Sequence, residues 1–335
     1  MKKALGGATR PGKQRWESAD SSMKYYAPRY WPVWGFWLWL RLTAALPLGL
    51  ALRIHESLGA LVYRLAGKQR RLVQRNIELC FPELAAPEVD RLALRHFAAL
   101  GASVAESAIA WFTPDRRLAG RFDILGREHL NDAIAAGRGV ILFTGHFTTL
   151  ELCGRPFKSL TPLFACMFSH RSNPLLDEIQ FRGRLRSAHE AASSDDVRAL
   201  LRSLKRNAVI WYAPDQFYRG PNAELIPFFH ELAMTNVATS KLARVSGAAL
   251  VPFSYRRLEG QARYELRFHA PLEGIPSEDP AEDTRRLFRV LERFIRACPE
   301  QYLWLHKKFK GRPAPLPDLY GRARVDRGRA AAGPS

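Results

Sequence analysis

A chain of 335 residues with 47% hydrophobic content can build one large core domain with an N-terminal appendage, or two domains at most. Its formal charge of +19 and pI near 10.3 call for an acidic partner, whether nucleic acid, anionic lipid head groups or an acidic protein. Cys80, Cys153, Cys166 and Cys298 lack C-x-x-C spacing and secreted-domain density, which excludes a zinc ribbon or disulfide scaffold and favours a reduced, cytoplasm-facing domain.

The chain opens with a basic tail (1–29), followed by a segment (30–66) that begins YWPVWGFWLWL and carries Trp31, Trp34, Trp37 and Trp39 in its first turns. No A-x-A-like cleavage site follows a short apolar region, so this is no cleaved signal peptide. Arg41 and Pro47 limit the uncharged run to about half of the roughly 20 residues that a bilayer span needs. Clustered indoles with flanking Arg and Lys are what a helix at a membrane interface uses, so the expectation is an anchor that lies in the interface or marginally spans it. The alternative is a helix of a soluble protein, which would have to cover four indoles.

Residues 86–113 place apolar side chains at three- and four-residue spacing, predicting a long amphipathic helix. GRGVILFTG (137–145) is a short, continuously apolar run of the kind that forms a buried parallel strand. Similar runs follow at 161–169, 207–215 and 247–255, while YELRFHA (264–270) alternates like an edge strand. Helical patterns lie between them at about 148–158, 174–188, 195–206, 235–246 and 281–297. Strands alternating with helices predict an α/β fold with a mostly parallel central sheet flanked by helices, whose ligand chemistry gathers at the carboxyl ends of strands. The domain reading is 67–313 for the main α/β body and 314–335 for a disordered, Pro-, Gly- and Arg-rich tail.

The apolar run at 137–145 delivers the chain into His146, with a helix expected to begin at Thr148 or Thr149. Five positions separate His146 from Glu151, about 140° on one continuous helix, so the two meet only if His146 sits in the turn before it. That arrangement would supply a base with an orienting carboxylate, as an unactivated hydroxyl nucleophile needs. The helix start beside it offers N–H groups for an oxyanion. Thr148 to Glu151 equally matches a capping box, in which Glu151 would merely bond the cap residue's backbone.

GHFTTLE after that strand, then FSHRSNPLLDEI (168–179), WYAPDQFY (211–218), IPFFHELAMTNVATSKLARVSGAALVPFSYRR (226–257) and CPEQYLWLHKKFKGRP (298–313), resemble in order the bacterial lipid A biosynthesis late acyltransferases, in particular their lauroyl-transferring members. The resemblance runs from about residue 28 to residue 313 and implies a glycerolipid-acyltransferase-like fold. It implies transfer of a fatty acyl chain from acyl carrier protein to a 3-hydroxyl of an acyl chain on a lipid A precursor, at the cytoplasmic face of the bacterial inner membrane. His146 and Glu151 would be its catalytic HX4E pair, with no cofactor or metal and no nucleic acid. Arg171, Asn173, Asp215 and Gln216 fall in strings implied to bind substrate. Two positions depart from the family pattern: Ser169 stands where an Arg is common, with Arg171 as its candidate replacement, and Phe217 stands where many members have a second Asp.

Asp215 is read as orienting an Arg or binding a sugar head group, or else as a turn residue after Pro214. Arg182, Arg184, Arg186, Arg198, Arg202 and Lys205 form basic helix faces, either solvated or available to phosphates and an acidic carrier. Trp304, His306, Lys307, Lys308 and Lys310 read as a basic-aromatic helix end facing the membrane, the carrier or solvent. No G-x-S-x-G, P-loop, G-x-G-x-x-G or H-E-x-x-H string is present. The rival readings are the same chemistry on another glycolipid, such as phosphatidylinositol mannoside, and a basic nucleic-acid-binding protein whose affinity would fall steeply with salt.

Overall fold

The computed structural model describes residues 23–168, 172–193 and 196–321. Most of the N-terminal tail, Arg171, and the last part of the C-terminal tail therefore lie outside the described residues.

The indole-rich segment forms two helices, α1 (Trp31–Ala45) and α2 (Leu48–Leu65), broken at Leu46, which is extended because Pro47 disfavours helical geometry in the residue before it. After α3 (Gly67–Cys80) comes α4 (Ala86–Phe112), the long helix expected from periodicity. Glu88 closes its start by accepting a bond from Ala85 N at 2.9 Å. α2 crosses α4 backbone to backbone: a Cβ on Gly59 would lie 2.1 Å from Phe97 O, and one on Gly101 would lie 1.9 Å from His55 O. Leu40, Ala51 and Leu52 of α1 and α2 join the same buried core as α4 and the sheet.

Among the described residues no helix is long and apolar enough to cross a membrane, which corrects the marginally spanning reading. Nor are all four indoles on the surface. Trp31 and Trp39 are exposed, but Trp34 and Trp37 are half-buried, and Trp37 meets Phe112 of α4 edge-on at 6.2 Å.

The remaining elements alternate: β1 (Phe122–Leu125), α5 (Arg127–Ala135), β2 (Val140–Phe143), α6 (Leu150–Cys153), α7 (Phe157–Leu160), β3 (Phe164–Phe168), α8 (Pro174–Arg184), β4 (Glu190–Ser193), α9 (Val197–Lys205), β5 (Val209–Tyr212), a hairpin of β6 (Ala223–Phe228) and β7 (Glu231–Asn236), α10 (Ala238–Ser246), β8 (Ala249–Arg257), β9 (Tyr264–Phe268) and α11 (Pro280–Ala297). The seven-stranded sheet runs β1-β9-β8-β2-β5-β3-β4 and is parallel except between β8 and β9. β2 is central and wholly buried, as its unbroken apolar run requires.

β9 is not an edge strand. It pairs with β1 on one side and β8 on the other, so its alternation reflects one face in the core and one that lines an open cleft beside α11. The helix expected at 148–158 is two single turns, α6 and α7, separated by Pro156. The one expected from residue 235 starts at Ala238, because residues 231–236 belong to the β6–β7 hairpin. The described part of the expected disordered tail is packed: Tyr320 donates its hydroxyl to Asn76 Oδ1 at 2.5 Å, and Leu319 O accepts from Arg75 Nε at 3.1 Å.

Candidate active site

His146 follows β2 at its carboxyl end, on a stretch that is extended rather than helical. Leu303 N donates to His146 O at 2.9 Å, and Thr148 N donates to Gln301 O at 2.8 Å, so the segment pairs like a strand with residues 301–303. The buried Tyr255 hydroxyl bridges it from below, donating to Gly145 O at 2.9 Å and accepting from Phe147 N at 3.2 Å. These bonds satisfy a buried backbone that carries no regular structure, and they fix the imidazole's direction.

That imidazole points at Asp215, which sits beyond the carboxyl end of β5, the strand beside β2. His146 Nδ1 lies 2.5 Å from Asp215 Oδ1, and His146 N donates to Oδ2 at 2.9 Å. Asp215 is 2% exposed and His146 29%. Burial alone would push the Asp215 carboxyl up, but the charge and two donors of His146 and the ammonium of Lys308 hold it well below the usual carboxylate range. An ionised Asp215 requires the proton on Nδ1, which leaves Nε2 with its lone pair. For His146, burial pulls proton affinity down, and the charge and hydrogen bond of Asp215 outweigh it, so its pKa stands above the ordinary histidine value.

Glu151 faces a different partner from the one expected. Among the described residues it makes no hydrogen bond to His146 and forms no capping box. Its Oε1 accepts from Arg184 Nε at 2.9 Å and Nη2 at 2.6 Å, and its Oε2 accepts from Trp111 Nε1 at 2.9 Å. The orienting group on Nδ1 is thus Asp215, and the pairing of Glu151 with the ring is corrected. The physical reason lies in the packing: α4 and α8 present an indole N–H and a guanidinium fork directly to Glu151. Arg184 is close enough for its charge to oppose protonation of His146.

Gly183 allows this packing. A Cβ there would fall 2.3 Å from Cγ of Trp111, so α8 rests on the face of the indole that binds Glu151.

Asn173 is placed as a helix cap, accepting from Leu175 N at 3.1 Å and Leu176 N at 3.2 Å, with Pro174 next in the first turn. Gln216 borders the site: its Nε2 is 3.1 Å from His306 Nε2, and the His306 ring centroid is 6.4 Å from that of His146. The segment after α11 is no solvated helix end. Trp304 and Lys308 are buried, and Asn76 of α3 donates to Trp304 O and His306 O at 2.6 and 2.9 Å. Lys308 donates to Thr235 Oγ1 at 3.1 Å, and burial brings its pKa down to about 8.

Arg184 was legible only as one cation of a basic face; nothing in its neighbours singles it out. Trp111, Tyr255 and Tyr302 carried no signal beyond being apolar-run aromatics. Among the described residues no group of His, Cys, Asp and Glu is arranged to hold a metal ion.

The arrangement supplies a polarised base at a strand end, an anchored guanidinium beside it and an apolar surround. Comparison with known proteins meets it from outside. The model of a family described as bacterial lipid A biosynthesis acyltransferase matches residues 19–311. The chain is similar to the lipid A biosynthesis lauroyltransferase of Escherichia coli K12, 39% identical over 88% of this chain and 96% of the relative. It is also similar to that organism's lipid A biosynthesis palmitoleoyltransferase, 34% identical over 89% and 97%, and to its myristoyltransferase, 26% identical over 90% and 95%.

Proposed function

The chain belongs to the bacterial lipid A biosynthesis acyltransferase family and is an acyltransferase acting on a lipid A precursor; from that premise we propose that acyl carrier protein is the donor, a 3-hydroxyl of a precursor acyl chain the acceptor, and His146 the general base. The observation that carries the proposal is the 2.5 Å contact of His146 Nδ1 with buried Asp215, which leaves Nε2 as the proton acceptor.

Nε2 takes the hydroxyl proton as the oxygen bonds to the thioester carbonyl carbon. The tetrahedral oxyanion then reforms its carbonyl, the carbon–sulfur bond breaks, and the departing thiolate takes the proton from the imidazolium. No covalent enzyme intermediate and no cofactor enter this sequence. Asp215 stabilises the imidazolium between the two steps. Glu151 acts through Arg184, holding that cation at the edge of the site by a two-donor fork. The apolar surface of α1 and α2 rests on the inner membrane so that the site faces the cytoplasm and its soluble carrier.

The test is turnover of a defined lipid A precursor with lauroyl carrier protein, read by mass spectrometry, for the purified wild type and His146→Ala. One added acyl chain with the wild type and a loss of about 10³-fold or more in the variant is expected. Near-normal turnover by His146→Ala would refute the base. Acylation of a different glycolipid in preference to the precursor would refute the acceptor.

A further inference from the structure

A second concave site lies behind the catalytic loop, on the face of β8 and β9 that α11 partly covers. It is a cleft of about 450 Å³, within the size range of small-ligand sites. The antiparallel register sets Ser254 opposite Arg267 and Arg256 opposite Glu265, so these side chains share one face of the hairpin, and Arg293 and Phe294 of α11 close the other wall.

Its charge is unbalanced. Three guanidiniums, Arg256, Arg267 and Arg293, line the cleft with one carboxylate, Glu265. Glu265 is shared at long range: its Oε1 lies 3.4 Å from Nε of Arg256 and its Oε2 3.7 Å from Nη2 of Arg267, neither with hydrogen-bond geometry. Arg293 pairs with no carboxylate among the described residues. Like charges gathered in a partly desolvated cleft repel one another, and an anion between them relieves that repulsion. His269 reports the same field. Its ring stacks on Phe294 at 4.7 Å and its Nε2 lies 2.8 Å from Ser254 Oγ. Burial, then Arg267, Arg293 and His129, bring its pKa down to about 4 against the opposing charge of Glu265. The floor is apolar, formed by Leu272, Phe294 and the ring of Phe147, the residue after His146.

We propose that this cleft is a binding site for a phosphate-bearing amphiphile, its phosphate held among Arg256, Arg267 and Arg293 and its hydrocarbon on Leu272, Phe294 and Phe147. Neither His146 nor Asp215 lines this cleft, and occupancy would stiffen the loop that carries His146 through Phe147. The phosphate could come from a bilayer phospholipid, whose phosphodiester is monoanionic, or from a phosphorylated glycolipid, whose phosphomonoester carries one to two charges; both are anchored by alkyl chains.

The test is calorimetric titration of the full chain at neutral pH with decyl phosphate below its micelle concentration, alongside decyltrimethylammonium and inorganic phosphate. NMR of the His269 ring locates the binding. Saturable binding of decyl phosphate, weaker binding of inorganic phosphate, none of the cation, and a shifted His269 resonance are expected. The double variant Arg267→Gln/Arg293→Gln, changed at exposed positions, should bind at least about tenfold more weakly with its circular dichroism unchanged. Binding that leaves His269 unmoved, or that the folded double variant retains, overturns the proposal, as does absence of binding. Displacement of decyl phosphate by phosphatidylglycerol vesicles assigns the head group to the bilayer. Displacement by a glycolipid phosphate in neutral detergent assigns it to the glycolipid. Neither readout uses acyl transfer, so the site and the reaction stand or fall separately.

Discussion

At the scale of single residues, the proton economy of the site rests on Asp215 and His146. Because Asp215 raises the proton affinity of His146, the neutral base is lost as pH falls through a value above the ordinary histidine pKa of about 6.5. The acidic limb of kcat/KM should therefore lie above that value. Asp215→Asn removes the charge that raises it, so the limb should move to lower pH while kcat drops about 10²- to 10⁴-fold through loss of the ring's tautomer and of imidazolium stabilisation. A pH–rate profile whose limb stays in place in Asp215→Asn would mean that the group titrating is not His146. The contrast with Glu151 is chemical. In the proposed reaction Asp215 holds an imidazole that exchanges a proton, whereas Glu151 holds a guanidinium that keeps its charge.

At the scale of elements, two close helix contacts set the geometry, and each depends on a missing Cβ. Gly183→Ala forces a methyl group against the Trp111 indole and should cost about 1–3 kcal/mol while pulling the indole N–H from Glu151. A lower thermal midpoint with a changed indole fluorescence checks it, and an unaltered emission spectrum would show that Trp111 had kept its place. Gly59→Ala is harsher, because the added carbon meets the backbone carbonyl of Phe97, which cannot swing aside as a side-chain tip can. The expected loss is about 3 kcal/mol or more, measured by chemical denaturation. A variant as stable as the parent would mean that α2 can separate from α4 without consequence for the core.

At the scale of the whole molecule, exposed apolar residues along α1 and α2, among them Trp31, Leu42, Leu58 and Leu65, lie beside Arg41, Arg53 and Arg64 on a chain of charge +19. An apolar stripe flanked by cations suits an anionic bilayer surface. The purified protein should co-sediment with phosphatidylglycerol vesicles, less with phosphatidylcholine, and less again as salt approaches about 1 M. Leu42→Glu with Leu58→Glu should return it to the supernatant. Retention of the double variant on vesicles would place membrane attachment elsewhere on the surface. The same charge motivated the nucleic-acid reading, which the family membership displaces.

Much of this protein was legible in one dimension. The buried strands β2, β5 and β8 are continuous apolar runs, α4 and α11 show their periodicity, and the His146 string stands at a strand end because a strand precedes it. These features are local: burial selects side chains at short, regular spacing, and the spacing survives in the sequence. The β6–β7 hairpin escaped because its two turn residues, Phe229 and His230, are not turn formers; Phe229 takes φ 53°, held by a 2.7 Å bond from its N–H to Glu292 Oε1 of α11. The partners of His146 and Glu151 escaped for the same kind of reason. Asp215 lies 69 positions from His146, and Arg184 and Trp111 lie 33 and 40 from Glu151. Which carboxylate meets which cation is decided by strand order and helix packing, because Coulomb and hydrogen-bond energies depend on distance in space. The sequence by itself determined the α/β alternation and marked His146. Only the tertiary structure assigned Asp215 to the imidazole and Glu151 to the guanidinium.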